Sequence, residues 1–252
     1  MKKQVQFRFY EELNGFLHPR NRKVTINLPL NGKTTVKDVI ESLGVPHTEV
    51  DLILVNGNSV EFGYAPVAGD LVSVYPVFES LGIESVTRLR PKPLRNPKFI
   101  LDVHLGKLAR KLRMVGFDTL YRNDYDDDEI IGIALKEKRI ILTRDVGILK
   151  NRLVTHGYFV RSTQPAMQIE EVIGRFDLSG KINPLSRCIE CNGTIVAVGK
   201  HEIEHHLQQK TRKYFDTFFR CTDCLKIYWE GSHYKKMLDK IGLLRETSTN
   251  HI

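Results

Sequence analysis

Residues 98 to 145 read KFILDVHLGKLARKLRMVGFDTLYRNDYDDDEIIGIALKEKRIILTRD, and their patterning decides the fold. Lys98-Phe99-Ile100-Leu101 is a short apolar run ending at Asp102. Residues 103 to 115 then carry apolar side chains at 103, 105, 108, 109, 112 and 115 before Gly116 stops them. That spacing predicts a strand, a turn and an amphipathic helix. Lys107, Arg110, Lys111 and Arg113 fall among the apolar positions and predict a cationic outer face for the helix. Residues 117 to 121 predict a second strand. Residues 123 to 129 give an acidic start to a helix running to about Lys138, and residues 139 to 143 form a strand ending at Arg144-Asp145. Residues 157 to 161 and 165 to 176 add another strand and helix. Strands and helices alternating in this rhythm predict an α/β domain whose parallel sheet is covered on both faces.

Ligands of such sheets bind beyond the carboxyl ends of the strands, where Asp102 and Asp145 lie. Taken singly, each acid has a structural explanation: Asp102 and Asp145 as caps, residues 126 to 129 as complements to a helix dipole. Gathered on one rim they would repel one another unless cations sat between them. Oxygen ligands around an open, hydrated site suit Mg²⁺ or Mn²⁺. Such ions bind a scissile phosphate, lower the pKa of a water and stabilise the departing oxygen, which is phosphodiester hydrolysis. The sequence has no G-x-x-x-x-G-K, no G-x-G-x-x-G and no Ser-His-Asp or Cys-His arrangement, which argues against NTPases, dinucleotide enzymes and hydrolase triads.

Ahead of this domain, VQFRFYEEL (5 to 13) and RKVTINLPL (22 to 30) alternate apolar and polar residues and predict a hairpin. Apolar residues at 36, 39, 40 and 43 before Gly44 predict a helix, and two further strands follow around residues 52 to 56 and 71 to 77. Two strands, a helix and two strands is the order of a β-grasp. DLILVNG (51 to 57) and GDLVSVYPVFE (69 to 79) resemble the ubiquitin-like sulfur carriers. Those carriers react through a free terminal Gly-Gly, whereas this chain runs on through Ser80-Leu81-Gly82-Ile83, so residues 1 to 82 are expected to bind or scaffold. Residues 83 to 97 form a Pro-rich linker unable to hold a regular element, and residues 86 to 100 hold five Lys and Arg and no acid.

Cys188-x-x-Cys191 and Cys221-x-x-Cys224 each present two thiolates, the pattern of a closed structural Zn²⁺ site in a ribbon over residues 181 to 240. Cations interleave with aromatics at Lys213-Tyr214-Phe215, Phe218-Phe219-Arg220 and Tyr228-Trp229, which suits stacking on single-stranded RNA; packing of a small ribbon core is the competing reading. Residues 241 to 252 read as a tail. The net charge of +8 favours an anionic partner. No apolar run approaches the roughly 20 residues of a membrane span, and charges at Arg8, Glu11 and Glu12 break any signal-peptide core, so the cytoplasm is expected.

FILDVHLGKLARKLRMVGFDTLY (99 to 121), NDYDDDEIIGIALKEKRIILTRD (123 to 145) and RCTDCLKIYWEGSHYKKM (220 to 237) resemble the PIN-like ribonuclease family named for the C-terminal domain of Mut-seven. The β-grasp ahead of them resembles its ubiquitin-like members. The resemblance covers about residues 97 to 235. It implies a three-layer α/β/α PIN-like domain over residues 98 to 180, a few acids holding Mg²⁺ or Mn²⁺, and RNA as the substrate. By motif it places Asp102, Asp127 and Asp145 as catalytic metal ligands, with Asp128 the nearest substitute for Asp127 and Asp124 as an outer contact. Lys107, Arg110 and Arg144 are candidates for phosphate contact, with surface solubility as the alternative. The expected activity is a metal-dependent ribonuclease aided by a zinc ribbon, with a protein partner for the β-grasp. The rival is a non-catalytic RNA-binding or adaptor protein that keeps the fold.

Overall fold

The structure, a computed structural model, describes residues 4–30, 34–76, 89, 96–231, 234, 236 and 239. Nearly all of the expected basic linker and the whole expected tail lie outside the described residues. In chain order the elements are β1 (Gln4–Phe9), β2 (Ile26–Pro29), α1 (Val36–Ser42), β3 (Val50–Val55), β4 (Asn58–Ser59), β5 (Leu71–Pro76), β6 (Phe99–Leu101), α2 (Gly106–Met114), β7 (Thr119–Leu120), α3 (Asp127–Glu137), β8 (Ile140–Thr143), α4 (Val146–Lys150), β9 (Gly157–Phe159), α5 (Pro165–Arg175), β10 (Ile195–Val198), α6 (Lys200–Ile203), α7 (Gln209–Tyr214), β11 (Phe218–Cys221) and β12 (Ile227–Trp229). The chain forms two compact units: residues 1–95 with 145–159, and residues 96–144 with 160–252.

The first unit holds a five-stranded sheet in the order β2-β1-β5-β3-β4. β1 pairs antiparallel with β2 and parallel with β5, placing the hairpin beside the last long strand as a β-grasp requires. The alternation seen in the sequence becomes alternating burial: Val5, Phe7 and Phe9 of β1 face a core that includes Ile40 of α1 and Val72 and Val74 of β5. A capping box starts α1, the Thr35 hydroxyl accepting from the Asp38 N–H while Asp38 accepts from the Thr35 N–H. The first unit also contains α4 and β9, from a stretch that the sequence assigns to the following domain.

In the second unit β6 pairs parallel with both β7 and β8. Every residue of β6 and β8 is buried, so the sheet is covered on both faces, as a parallel sheet requires. α2 turns Leu108, Ala109 and Leu112 into this core. Gly116 ends it with φ +99°, and a Cβ there would come within 2.1 Å of the Asn183 carbonyl, so only glycine permits this approach. β10, β11 and β12 form an antiparallel ribbon in that order within the same unit.

Arg113 corrects the expected outer face of α2: it is 4% exposed and points inward. Its Nε donates to the Thr119 carbonyl (2.8 Å), and its Nη1 to the carbonyls of Ile189 (3.2 Å) and Glu190 (2.7 Å). A charged donor fork thus ties the helix to β7 and to the first cysteine turn. The position carries a sequence signal, since Arg113 lies one helical turn beyond Ala109 on the apolar stripe.

Candidate functional site

Asp102 ends β6 and is 4% exposed. Its Oδ1 accepts from the His104 N–H (2.8 Å); its Oδ2 accepts from the Arg144 N–H (2.9 Å) and from the Thr143 hydroxyl in a short hydrogen bond. The two strand ends are therefore joined through one carboxylate. Oδ1 takes a single backbone donor and retains lone-pair capacity for a cation. Tyr121 donates its hydroxyl to the Val103 carbonyl (3.0 Å), fixing the turn after Asp102.

At the start of α3 the acids divide by role. Asp126 is the N-cap and forms a capping box with Glu129, whose N–H donates to Asp126 Oδ1 at 2.8 Å. Asp124 accepts two hydrogen bonds from Arg122, both at 2.9 Å, and that guanidinium holds its carboxyl below the usual range. Asp127 and Asp128 follow the cap as exposed residues of the first turn. Asp145, in the first unit, is exposed and caps α4, accepting from the Gly147 N–H at 2.6 Å. Among the described residues, no set of three acids brings its oxygens as close together as the four cysteine sulfurs come.

The cationic candidates separate likewise. Lys107 and Arg110 line a cleft of about 670 Å³ with Val103, His104, Tyr121 and Glu190. Arg110 grips Glu190 with two hydrogen bonds (2.7 and 3.0 Å), and Lys226 adds a third at 2.8 Å. These partners depress the Glu190 carboxyl to about 2, Arg110 contributing most. Arg144 directs Nη1 at the carbonyls of Val160, Arg161 and Ser162 (2.7, 2.7 and 2.8 Å), which clamps the returning chain beside β8. His104 lines the cleft two residues after Asp102 and is a functional candidate that the sequence patterning does not single out.

Cys188, Cys191, Cys221 and Cys224 bring their sulfurs to within 4.8 Å of one another, with Cys188 to Cys224 at 3.5 Å and Cys191 to Cys221 at 3.4 Å. Tetrahedral Zn–S bonds of ~2.3 Å would set the sulfurs ~3.8 Å apart, so the group fits such an ion. The thiols do not behave alike. Burial raises Cys188, but the N–H groups of Cys191 and Glu190 and the Tyr228 hydroxyl (3.0 Å) outweigh it and bring that thiol to about 6. Burial pushes Cys191 up to about 12, and its sulfur neighbours add to the rise. Four crowded thiols cannot all ionise alone; a bound cation removes the conflict.

The first cysteine turn is built into the sheet edge. Asn192 accepts from the Thr119 N–H and donates to Asp118 Oδ1, both at 2.8 Å. Arg139 also donates to Asp118 Oδ1 (2.7 Å), and Arg187 lies 3.5 Å from its other oxygen. Burial alone would raise the Asp118 carboxyl; the hydrogen bonds from Arg139 and Asn192 and the two guanidinium charges hold it below the usual range. Of the ribbon aromatics, Phe218 is core, whereas Tyr214 and Trp229 are 67% and 37% exposed.

Fold and site together define a β-grasp domain followed by a parallel α/β domain that is merged with a four-cysteine metal-binding ribbon. The Mut7-C RNAse domain model matches residues 97–241, more than half of the chain, and the Mut7-C ubiquitin model matches residues 2–82. The chain belongs to the Mut7-C RNAse domain family, with a ubiquitin-like domain in front. Among solved structures, the small archaeal modifier protein 1 of H. volcanii is 19% identical over 30% of this chain and 98% of its own, with a TM-score of 0.25. A structure of SAMP1 from Haloferax volcanii is 18% identical over 31% and 99%, also with a TM-score of 0.25. At such scores the likeness carries no argument. No curated protein matches. Among the described residues no helix is long and apolar enough to cross a membrane.

Proposed function

We propose that this chain is a metal-dependent ribonuclease that hydrolyses phosphodiester bonds of single-stranded RNA. The observation carrying this reading is Asp102, a buried carboxylate held in one orientation by Thr143 and the Arg144 N–H, with the turn and helix that follow it supplying His104, Lys107 and Arg110 to the wall of a cleft. Asp102, Asp127 and Asp145 would hold Mg²⁺ or Mn²⁺, with Asp128 as the substitute for Asp127. The capping box assigns Asp126 and Glu129 to starting α3. When bound, the ion would polarise the scissile phosphate and lower the pKa of a water. Lys107 and Arg110 hold phosphates in the cleft, Arg144 keeps the strand end in place, and Tyr214 and Trp229 offer rings to bases. Zn²⁺ in the four-cysteine site has a structural role.

Purified protein given Mn²⁺ and end-labelled single-stranded RNA is expected to cut it. Lys107→Ala is expected to lower the slope of log affinity against log salt by ~0.7, the share of one phosphate no longer neutralised, and Arg110→Ala by less, because Glu190 already pairs with Arg110. An unchanged slope would remove the cleft from the RNA path. The second reading, an RNA-binding adaptor without turnover, is favoured by the acids serving as caps: Asp102 accepts from the His104 N–H and Asp145 from the Gly147 N–H. It predicts binding with no cutting in Mn²⁺ or Mg²⁺.

A further inference from the structure

The cleft that carries Lys107 and Arg110 has a second contributor, the turn into α5 and its first residues, which bring Thr163, Pro165 and Gln168 to it. Gln168 is 5% exposed, yet only half of its amide is satisfied. Its Nε2 donates to the Ser162 carbonyl at 3.0 Å. That carbonyl also accepts from Arg144 Nη1 (2.8 Å), and since a carbonyl cannot donate, the amide has one permitted orientation, nitrogen towards Ser162. The support is itself tied down, because the N–H groups of Arg161 and Ser162 donate to the two carboxylate oxygens of Glu171 (2.7 and 2.9 Å), one turn further along α5. Gln168 Oε1 has no hydrogen-bond partner among the described residues and is not sealed from solvent, so an oriented acceptor is left open where Gln168 lines the cleft. An acceptor so enclosed discriminates: a ligand that displaces its water must bring a donor in return. Thr163, exposed in the same cleft, adds a hydroxyl that can donate as well as accept.

We propose that Gln168 is a specificity-determining residue that reads the sugar of RNA, its Oε1 accepting from the 2′-OH of a nucleotide whose phosphate Lys107 and Arg110 hold, with Thr163 as the return donor; this role rests on the cleft being the RNA path. Backbone phosphates bring no donor to an acceptor, and the donors of the bases differ from base to base, whereas every ribose carries a hydroxyl that both donates and accepts. An amide acceptor and a hydroxyl at one helix start match that dual group. Without a 2′-OH the Gln168 oxygen is left unpaired beneath the bound strand, so DNA is disfavoured by a missing bond rather than by a clash.

The test uses the full, zinc-loaded chain at one salt concentration without Mn²⁺ or Mg²⁺. Fluorescence anisotropy reads its affinity for one single-stranded sequence made as RNA, as DNA and as 2′-fluoro RNA, which keeps the ribose pucker but lacks the donor. RNA is expected to bind about fivefold more tightly than either analogue, the scale of one neutral hydrogen bond. Gln168→Met, which keeps the length of the side chain, is expected to bind all three within about twofold of one another, and Thr163→Val to lose part of the preference. Melting temperatures show whether Gln168→Met, which also gives up the bond to Ser162, stays folded; the wild-type series and Thr163→Val decide if it does not. Equal affinity of the wild type for the three strands overturns the assignment, as does a preference that survives in folded Gln168→Met. A preference that follows the base and not the sugar gives the cleft to a base and overturns it too. RNA preference without cleavage in Mn²⁺ upholds the role of Gln168 and refutes the ribonuclease reading, while cleavage without any sugar preference does the reverse.

Discussion

Asp102→Asn is expected to lower the single-turnover rate of RNA cleavage in Mn²⁺ by about a thousandfold, the rate equivalent of the several kcal/mol that a bound ion supplies at a phosphoryl centre. The substitution keeps an oxygen for the His104 N–H but removes the negative charge. It also sets an amide against Thr143 and the Arg144 N–H, the two donors now facing Oδ2. Thr143 can turn and accept; the Arg144 N–H cannot. One donor is left facing another, at a cost of about 1 to 3 kcal/mol. Melting temperature and RNA anisotropy therefore accompany the rate measurement. A folded variant that binds RNA and no longer cuts is the expected result. Cutting that survives in a folded Asp102→Asn chain would place the chemistry elsewhere.

The second large effect concerns the cysteines. Stripping the metal with a chelator, or introducing Cys221→Ser, is expected to unfold the ribbon outright, because structural zinc supplies ~10 to 16 kcal/mol in comparable small sites. The damage should spread into the sheet edge. Arg113 spans from α2 to the carbonyls of Ile189 and Glu190, Asn192 pairs with the Thr119 N–H, and Glu190 neutralises Arg110 in the cleft. Unfolding of the first cysteine turn leaves the buried Arg113 with fewer acceptors and frees Arg110 from its partner. Metal analysis should give one zinc per chain, and hydrogen exchange of the metal-free chain should rise over residues 188 to 229 and at Thr119 and Leu120. RNA affinity should fall with it. A metal-free chain that melts and cuts as the loaded one does would make the ribbon dispensable.

Much of this architecture is legible in the sequence because local spacing carries it. The apolar positions of α2, the alternation in β1 and the paired cysteine turns each need only neighbours along the chain to be interpreted. The same holds for Asp102 at the end of β6. What escapes is set by partners distant in sequence. Arg113 reads as a surface cation because arginine on a helix usually is one; only the carbonyls of residues 189 and 190 show why it is buried. Asp118 is one more position of the strand expected over residues 117 to 121 until Arg139, Arg187 and Asn192 converge on it. Residues 145–159 follow the strand-helix rhythm of the α/β domain, and the sequence gives no sign that Lys150, Val154 and Phe159 also bond to Glu41, His47 and Glu49, about 110 positions upstream. The proposed acid site is legible as residue types at strand ends and a helix start and not as geometry, because spacing along the chain does not say whether a carboxylate caps a helix, as Asp145 caps α4, or joins two strand ends, as Asp102 does.

The most direct measurement is the anomalous scattering of crystals grown with Mn²⁺ after the cysteine site has been loaded with zinc. The account predicts a manganese peak about 2.2 Å from Asp102 Oδ1, with carboxylate oxygens of Asp127, or Asp128 in its place, and of Asp145 completing the coordination. Crystals with full zinc occupancy at the cysteines and no manganese on Asp102, its carboxylate still engaged only by His104, Thr143 and Arg144, would contradict it.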